Sequence, residues 1–179
     1  MTTVTTVFTI GHSTRTIGEF VELLHAQGVR QLVDIRTIPR SRHNPQFGQD
    51  QLPGSLAEAS IRYSYLAKLG GLRSSRQDSL NAGWRNASFR SYADYMQTDG
   101  FAAGVDELVA LAEKAPTAIM CAEAVPWRCH RSLVGDALLV RGLEVLDIIG
   151  PGPPRLEHLT SFAVVSGLTI TYPGEATDA

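Results

Sequence analysis

Residues 120–132 read "MCAEAVPWRCHRS" and carry both cysteines of the chain, Cys121 and Cys129, together with Glu123, Arg128, His130 and Arg131. A thiol beside fixed positive charge ionises readily, and the thiolate is the reactive form, so either cysteine is a candidate nucleophile. Glu123 opposes that reading, because a neighbouring carboxylate disfavours a thiolate unless an arginine intervenes. It serves equally as a general acid or base, or as a partner for Arg131. The same residue types suit metal ligation by Cys121, Cys129, His130 and a remote His12. Their spacing matches no familiar finger pattern, and adjacent Cys129 and His130 do not readily aim at one ion, so no metal ligand is assigned. Redox compartment matters too: in a reducing one the two cysteines are expected as free thiols or ligands rather than a disulfide. The plain alternative is a buried Cys121 that only packs at a strand end.

Two remote clusters carry similar chemistry. In "IGHS", His12 is a candidate general base or phosphate donor, or a ring that ties down its loop, and Ser13 is an anion ligand or a helix cap. In "VDIRTIPRSRH", Asp34 is a candidate base or orienting acid, and Arg36 and Arg40 suit bidentate contact with phosphate or carboxylate. Their structural alternative is mutual neutralisation, since a buried aspartate needs a partner. Lys68 adds charge beside the paired Gly70 and Gly71, which predict a turn or a close backbone approach. The candidate catalytic set is thus His12, Asp34, Cys121, Glu123 and Cys129. The candidate substrate-binding set is Ser13, Arg36, Arg40, Lys68, Arg128, His130 and Arg131.

Elements that could bring these residues together are visible in the apolar pattern. Val7 to Ile10 is a short β-branched run that stops at Gly11, and Thr16 stands three before Glu19, a capping-box signature. Ile17, Phe20, Val21 and Leu24 then repeat at helical spacing up to Gly28. "QLVDI" predicts a buried strand, parallel to the first because a helix joins them. Residues 44–87 are rich in loop formers; a helix over Ser55 to Ala59 and a strand through Ile61, Tyr63 and Tyr65 are expected there. Two helical faces follow, one with Phe89, Tyr92, Ala93 and Met96 and one with Phe101, Val105, Leu108 and Ala112, bent or separated at Gly100. "TAIMCAE" predicts a strand ending near Cys121, Leu133 to Arg141 a helix, and "LEVLDIIG" another strand. The fold class is α/β: one domain over 1–179, Rossmann-like and three-layered, with a mainly parallel sheet flanked by helices. Its core runs over about 7–150, and 151–179 form an exit loop and a weakly defined tail.

Ligands of open parallel sheets bind outside the carboxyl ends of the strands. That rule puts His12 and Ser13, Asp34 with its arginines, and the Cys121–Arg131 segment on one edge. A helix starting near His130 to Ser132 would turn free N–H groups and its positive dipole end to the same place. The arrangement is similar to the rhodanese and cysteine-phosphatase loop, with "LVDIR" and "RSLVGDALLVRGLEVLDIIG" extending the likeness; the loop here is longer, since Cys121 and Arg131 lie ten positions apart. More specifically, "FTIGHSTRTIGEFVELL", "LVDIRTIPRSRHNPQF", "YLAKLGGL" and "MCAEAVPWRCHRS", in that order over about Val7 to Gly150, resemble the domain-of-unknown-function 488 family. The resemblance implies a fold and a site location, and no settled activity.

Composition bounds the function. At 44% hydrophobic and 19% charged the chain can build a real core, and no apolar run is long enough to span a membrane. The sequence "MTTVTTVFTIGHS" lacks the features of a secretory signal, so a cytoplasmic location is expected. A net charge of −2 argues against indiscriminate nucleic-acid coating, although "RTIPRSRH" is a local basic stretch. The leading expectation is an enzyme, a hydrolase or transferase, acting on a phosphate-bearing or otherwise anionic substrate such as a nucleotide or a nucleic-acid end. A non-catalytic nucleotide or nucleic-acid binding module and a Cys/His metal protein are the alternatives. Cofactor and oligomeric state are not specified by the sequence.

Overall fold

A computed structural model describes residues 3–175. The first strand, β1 (Thr6–Gly11), leads into α1 (Ile17–Ala26), whose start is the expected capping box: Glu19 donates its N–H to the Thr16 hydroxyl and returns its carboxylate to the Thr16 N–H. β2 (Gln31–Asp34) follows Gly28, which ends the helix at φ +70°. Then come α2 (Leu52–Glu58), β3 (Arg62–Tyr65), α3 (Ala87–Met96), α4 (Asp99–Lys114), β4 (Thr117–Cys121), α5 (Arg131–Val140) and β5 (Glu144–Ile148). β1 to β5 are parallel, in the order β3-β2-β4-β1-β5, and β6 (Arg155–Leu156) adds an antiparallel edge to β5.

Both faces of the sheet are covered. Phe20 and Leu24 of α1 and Leu52 and Leu56 of α2 pack on Ile10, Leu32 and Met120. On the other face, Tyr92, Phe101, Leu108 and Leu133 of α3 to α5 pack on Val7, Val33, Ile119 and Val145. Double coverage explains why β2 and β4 read as continuous apolar runs: every residue of each is buried. This is the three-layer α/β architecture expected from the sequence.

Three local expectations are revised. α2 starts three residues earlier than Ser55, with Pro53 in its first turn, where the missing N–H is harmless. α3 and α4 separate at Gln97–Thr98 rather than at Gly100, because Thr98 caps α4 by accepting the Phe101 N–H. Residues 151–175 are more than an exit loop, and the end of the expected tail, 176–179, lies outside the described residues. β7 (Val164–Ser166) and β8 (Thr169–Thr171) form a hairpin, Ile170 and Tyr172 are buried in the α3–α5 core, and the Tyr172 hydroxyl donates to Asp136 of α5 at 2.7 Å. Among the described residues, no helix is long and apolar enough to cross a membrane.

Candidate functional site

The strand order sets the site. β4 lies between β2 and β1, with Gly11 opposite Cys121 and Asp34 opposite Met120, so three strand ends finish side by side. Their outgoing loops stay zipped together for a further residue or two: His12 and Ser13 donate to the Cys121 and Ala122 carbonyls at 3.0 and 2.9 Å, and Ile35 donates to Met120 at 3.1 Å. Gly11 is required at this crossing, because a Cβ there would overlap the Glu123 carbonyl. Above the strand ends opens a cleft of about 480 Å³. Of the sequence-derived candidates, His12, Arg36, Arg40, Cys121, Glu123, Arg128, Cys129 and His130 line it.

His12 is the best-defined polar group of the cleft. Its ring is buried and stacks on Phe47 with centroids 4.5 Å apart. Nδ1 lies 2.9 Å from the Ser13 carbonyl, which can only accept, so Nδ1 carries the proton and the neutral ring presents a lone pair at Nε2. Among the described residues, Nε2 is buried without a hydrogen-bond partner. Burial holds the ring's pKa below its ordinary value, assisted by the positive charge of Arg36 and Arg15. Arg36 forms a bidentate pair with Asp34 behind it, at 2.9 and 2.7 Å, and donates to the Phe47 carbonyl. Its remaining nitrogen, Nη1, is buried without a partner among the described residues. A buried acceptor and a buried cationic donor therefore stand unpartnered in the wall of one cleft.

The cysteine loop is held by Arg131, whose side chain is wholly buried. It donates through Nε to Thr9 Oγ1 at 3.2 Å, through Nη1 to Cys121 Sγ at 2.8 Å and to the Glu123 carbonyl, and through Nη2 to the Ala124 carbonyl at 3.0 Å. Burial pushes its pKa down to about 10, so it remains a cation at neutral pH. His130 Nε2 lies 2.9 Å from the Ile35 carbonyl and Nδ1 3.4 Å from Cys129 Sγ, and burial lowers its pKa to about 4. The two sulfurs are joined as a disulfide, in place of the expected free thiols or ligands. The β4 end and the α5 start converge on Arg131, which brings the sulfurs together regardless of the intervening loop.

Four candidates do not face the cleft. Asp34 is buried beneath Arg36 and also accepts from the Tyr63 hydroxyl at 2.6 Å, the structural pairing weighed above. Arg131 lies behind the cysteines. Lys68 is half exposed and pairs with Glu107 of α4 at 3.3 Å. Ser13 supplies its backbone to His12 and Ala122, and the capping role belongs to Thr16. The start of α5 is not an open cradle, because the Arg131 and Ser132 N–H groups are already taken by Cys129 Sγ and the Cys129 carbonyl. The likeness to the rhodanese loop stops there. Among the described residues no group of three or more His, Cys, Asp or Glu side chains converges as metal ligands would.

The sequence reading missed the apolar rim of the cleft, formed by Ile38, Leu72 and Phe89, and the Phe47 ring behind His12. Ile38 and Leu72 are 51% and 69% exposed, large values for such side chains in loops that carry no core role. The proline-flanked "TIPRS" was the available signal for the first; none marked the second.

No curated protein and no solved structure matches the chain. A family model described as Domain of unknown function DUF488 matches residues 16–138, which include the arginine loop, the glycine pair and the whole cysteine segment. That match spans more than half of the chain, which therefore belongs to the domain-of-unknown-function 488 family.

Proposed function

We propose that the chain is an enzyme, a hydrolase or transferase, whose cleft takes a phosphate-bearing or similar anionic substrate. The observation that carries this reading is the pair of unpartnered buried atoms, His12 Nε2 and Arg36 Nη1, in one cleft wall. An unmatched buried polar atom costs about 1–3 kcal/mol, more when it is charged, and a ligand oxygen that accepts from Arg36 while giving a proton to His12 removes both penalties at once. Charge agrees. Arg36 is balanced by Asp34, which leaves exposed Arg40 and Arg128 against the single carboxylate of Glu123 around the cleft. The roles follow from these contacts. Arg36, Arg40 and Arg128 hold the anion, and His12, neutral at pH 7, accepts a proton from water or an attacking hydroxyl through Nε2. Glu123, exposed at the rim, is a second candidate for moving protons at the cleft. The apolar rim of Ile38, Leu72 and Phe89 suits a substrate with a flat or apolar part beside its charge, as a nucleotide has.

The test combines binding and turnover on the full chain. Thermal stability is measured with inorganic phosphate, nucleoside monophosphates and aryl phosphates, and hydrolysis of the esters is followed by phosphate release. A concentration-dependent rise in melting temperature is expected. It is lost in the Arg40→Ala/Arg128→Ala double variant, whose exposed side chains carry no structural bonds. His12→Asn keeps binding and loses about 100-fold or more in turnover. An absence of any shift across the series, or an undiminished shift in the double variant, overturns the reading.

A further inference from the structure

Arg131 poses a problem that the anion cleft does not solve. It is a wholly buried cation, and among the described residues no carboxylate lies within ion-pair distance of its guanidinium. Asp147 is linked to it through the Thr9 hydroxyl, which bonds to both, and Asp147 already pairs with Arg155 at 3.0 Å. A buried charge without a counter-charge is strongly unfavourable. Apart from neutral carbonyls and a hydroxyl, the remaining acceptor on Arg131 is Cys121 Sγ, at 2.8 Å from Nη1. In the dithiol state an ionised Cys121 supplies the missing negative charge. The second sulfur has different neighbours. Cys129 Sγ accepts the Arg131 backbone N–H at 3.4 Å and lies 3.4 Å from His130 Nδ1, the ring nitrogen left with a lone pair because Nε2 donates to the Ile35 carbonyl. Both sulfurs line the same cleft and are in bonding contact with each other.

From this arrangement we infer that Cys121 and Cys129 form a redox-active dithiol, in which Cys121 is the peroxide-reactive thiolate held by Arg131 and Cys129 is the resolving thiol served by His130. The chemistry balances with a hydroperoxide as oxidant. The Cys121 sulfur attacks one peroxide oxygen, the O–O bond breaks, and Cys121 becomes a sulfenic acid as hydroxide, or an alkoxide, departs. The Cys129 thiol, oriented by His130 Nδ1 at 3.4 Å, attacks the Cys121 sulfur as its proton passes to the departing oxygen. The S–O bond breaks, the S–S bond forms, and the departing hydroxide takes up the proton as water. With hydrogen peroxide the sum is two thiols and one peroxide giving one disulfide and two waters. An external dithiol returns the pair to its reduced state by exchange. This activity goes beyond the anion-binding reading, and its test uses no anionic ligand.

The experiment uses the full chain reduced with dithiothreitol and freed of reductant, then exposed to hydrogen peroxide at neutral pH. Thiol titration is expected to fall from two to zero, with an intact-mass loss of two hydrogens in the monomer and full recovery on adding dithiothreitol. Cys129→Ser is trapped by dimedone as a sulfenic acid at Cys121. Cys121→Ser leaves Cys129 reacting about tenfold more slowly or less, as expected for a thiol without the guanidinium. Far-ultraviolet circular dichroism confirms that both variants are folded. Several results overturn the inference: a disulfide that dithiothreitol cannot open in the native chain, peroxide loss no faster than with free cysteine, oxidation to sulfinic acid without disulfide, or equal trapping in the two single variants.

Discussion

At the residue scale, burial sets the charge state of the two histidines that line the cleft. His130 shows how far burial goes: its ring is packed against Tyr92 and beside Gly71, where a Cβ would approach Nδ1 to 2.6 Å, and the resulting pKa is about 4 against 6.5 for a free ring. The folded state therefore resists a proton that the unfolded chain takes up. Stability from this residue is complete above pH 6.5 and is lost as pH falls towards 4, by about 3 kcal/mol over that interval. Urea unfolding at pH 7, 5.5 and 4 checks this. Relative to His130→Gln, which does not titrate, the wild type is expected to lose that amount across the series, and parallel curves would contradict it. His12 leans the same way, so acid weakens the fold at the two rings that line the cleft.

At the scale of elements, the site depends on how closely three strand ends meet. Gly11 closes β1 where the Glu123 carbonyl crosses it, and the Arg131 guanidinium lies within 2.9 Å of the place a Cβ would take. Backbone cannot yield there without moving the cysteine loop. Gly11→Ala is expected to cost about 3 kcal/mol or more in chemical denaturation, as overpacking against fixed backbone does, and to slow disulfide formation by displacing Cys121 from Cys129. A change under 0.5 kcal/mol would show that the loop is looser than drawn. The elements themselves were legible in the sequence where local physics governs. The Thr16–Glu19 box, the apolar runs of β1, β2, β4 and β5 and the amphipathic α1 and α4 are each written within a dozen residues. The gathering of His12, Arg36 and Cys121 on one edge followed from strands joined through helices and from the rule that sites lie at their carboxyl ends, whereas the order β2-β4-β1 that makes those ends neighbours was not written in any local pattern. What local pattern did not contain was any partner far away in the chain. Phe47 behind His12, Tyr63 on Asp34 and Leu72 on the rim arise from residues 44–87, where proline and glycine leave only the short helix near Ser55 and the strand through Tyr63 legible. The burial of Arg131 was equally hidden, because arginine at a helix start reads as solvent-facing charge.

At the scale of the whole molecule, residues 155–172 form a closing layer on α5. It brings two opposite effects to that helix. Tyr172, wholly buried, donates to Asp136 at 2.7 Å, while its backbone N–H donates to Asn81 at 2.9 Å, tying the hairpin to the loop before α3 and to α5 together. Glu157, following β6, lies against Gly135 with one carboxyl oxygen unpartnered, and burial beside Asp147 and Asp136 raises its pKa to about 9. Here the sign is the reverse of His130. The folded state keeps a proton that the unfolded chain releases above pH 4.5, so this residue destabilises the fold progressively from pH 4.5 up to 9, by about 3 kcal/mol at neutral pH. Glu157→Gln, which preserves shape and removes the titration, should match the wild type near pH 4.5 and exceed it by about 3 kcal/mol at pH 7 in urea unfolding. Tyr172→Phe should instead lower stability by about 1–3 kcal/mol at either pH, because it leaves the buried Asp136 carboxylate short of a donor. If both substitutions proved neutral, the segment would be a passive cover. Opposite signs, with only the first depending on pH, would show that α5 is clamped from its outer side by the tyrosine against the pressure of a buried acid, and that Arg131 at the start of the same helix is held in place from both ends.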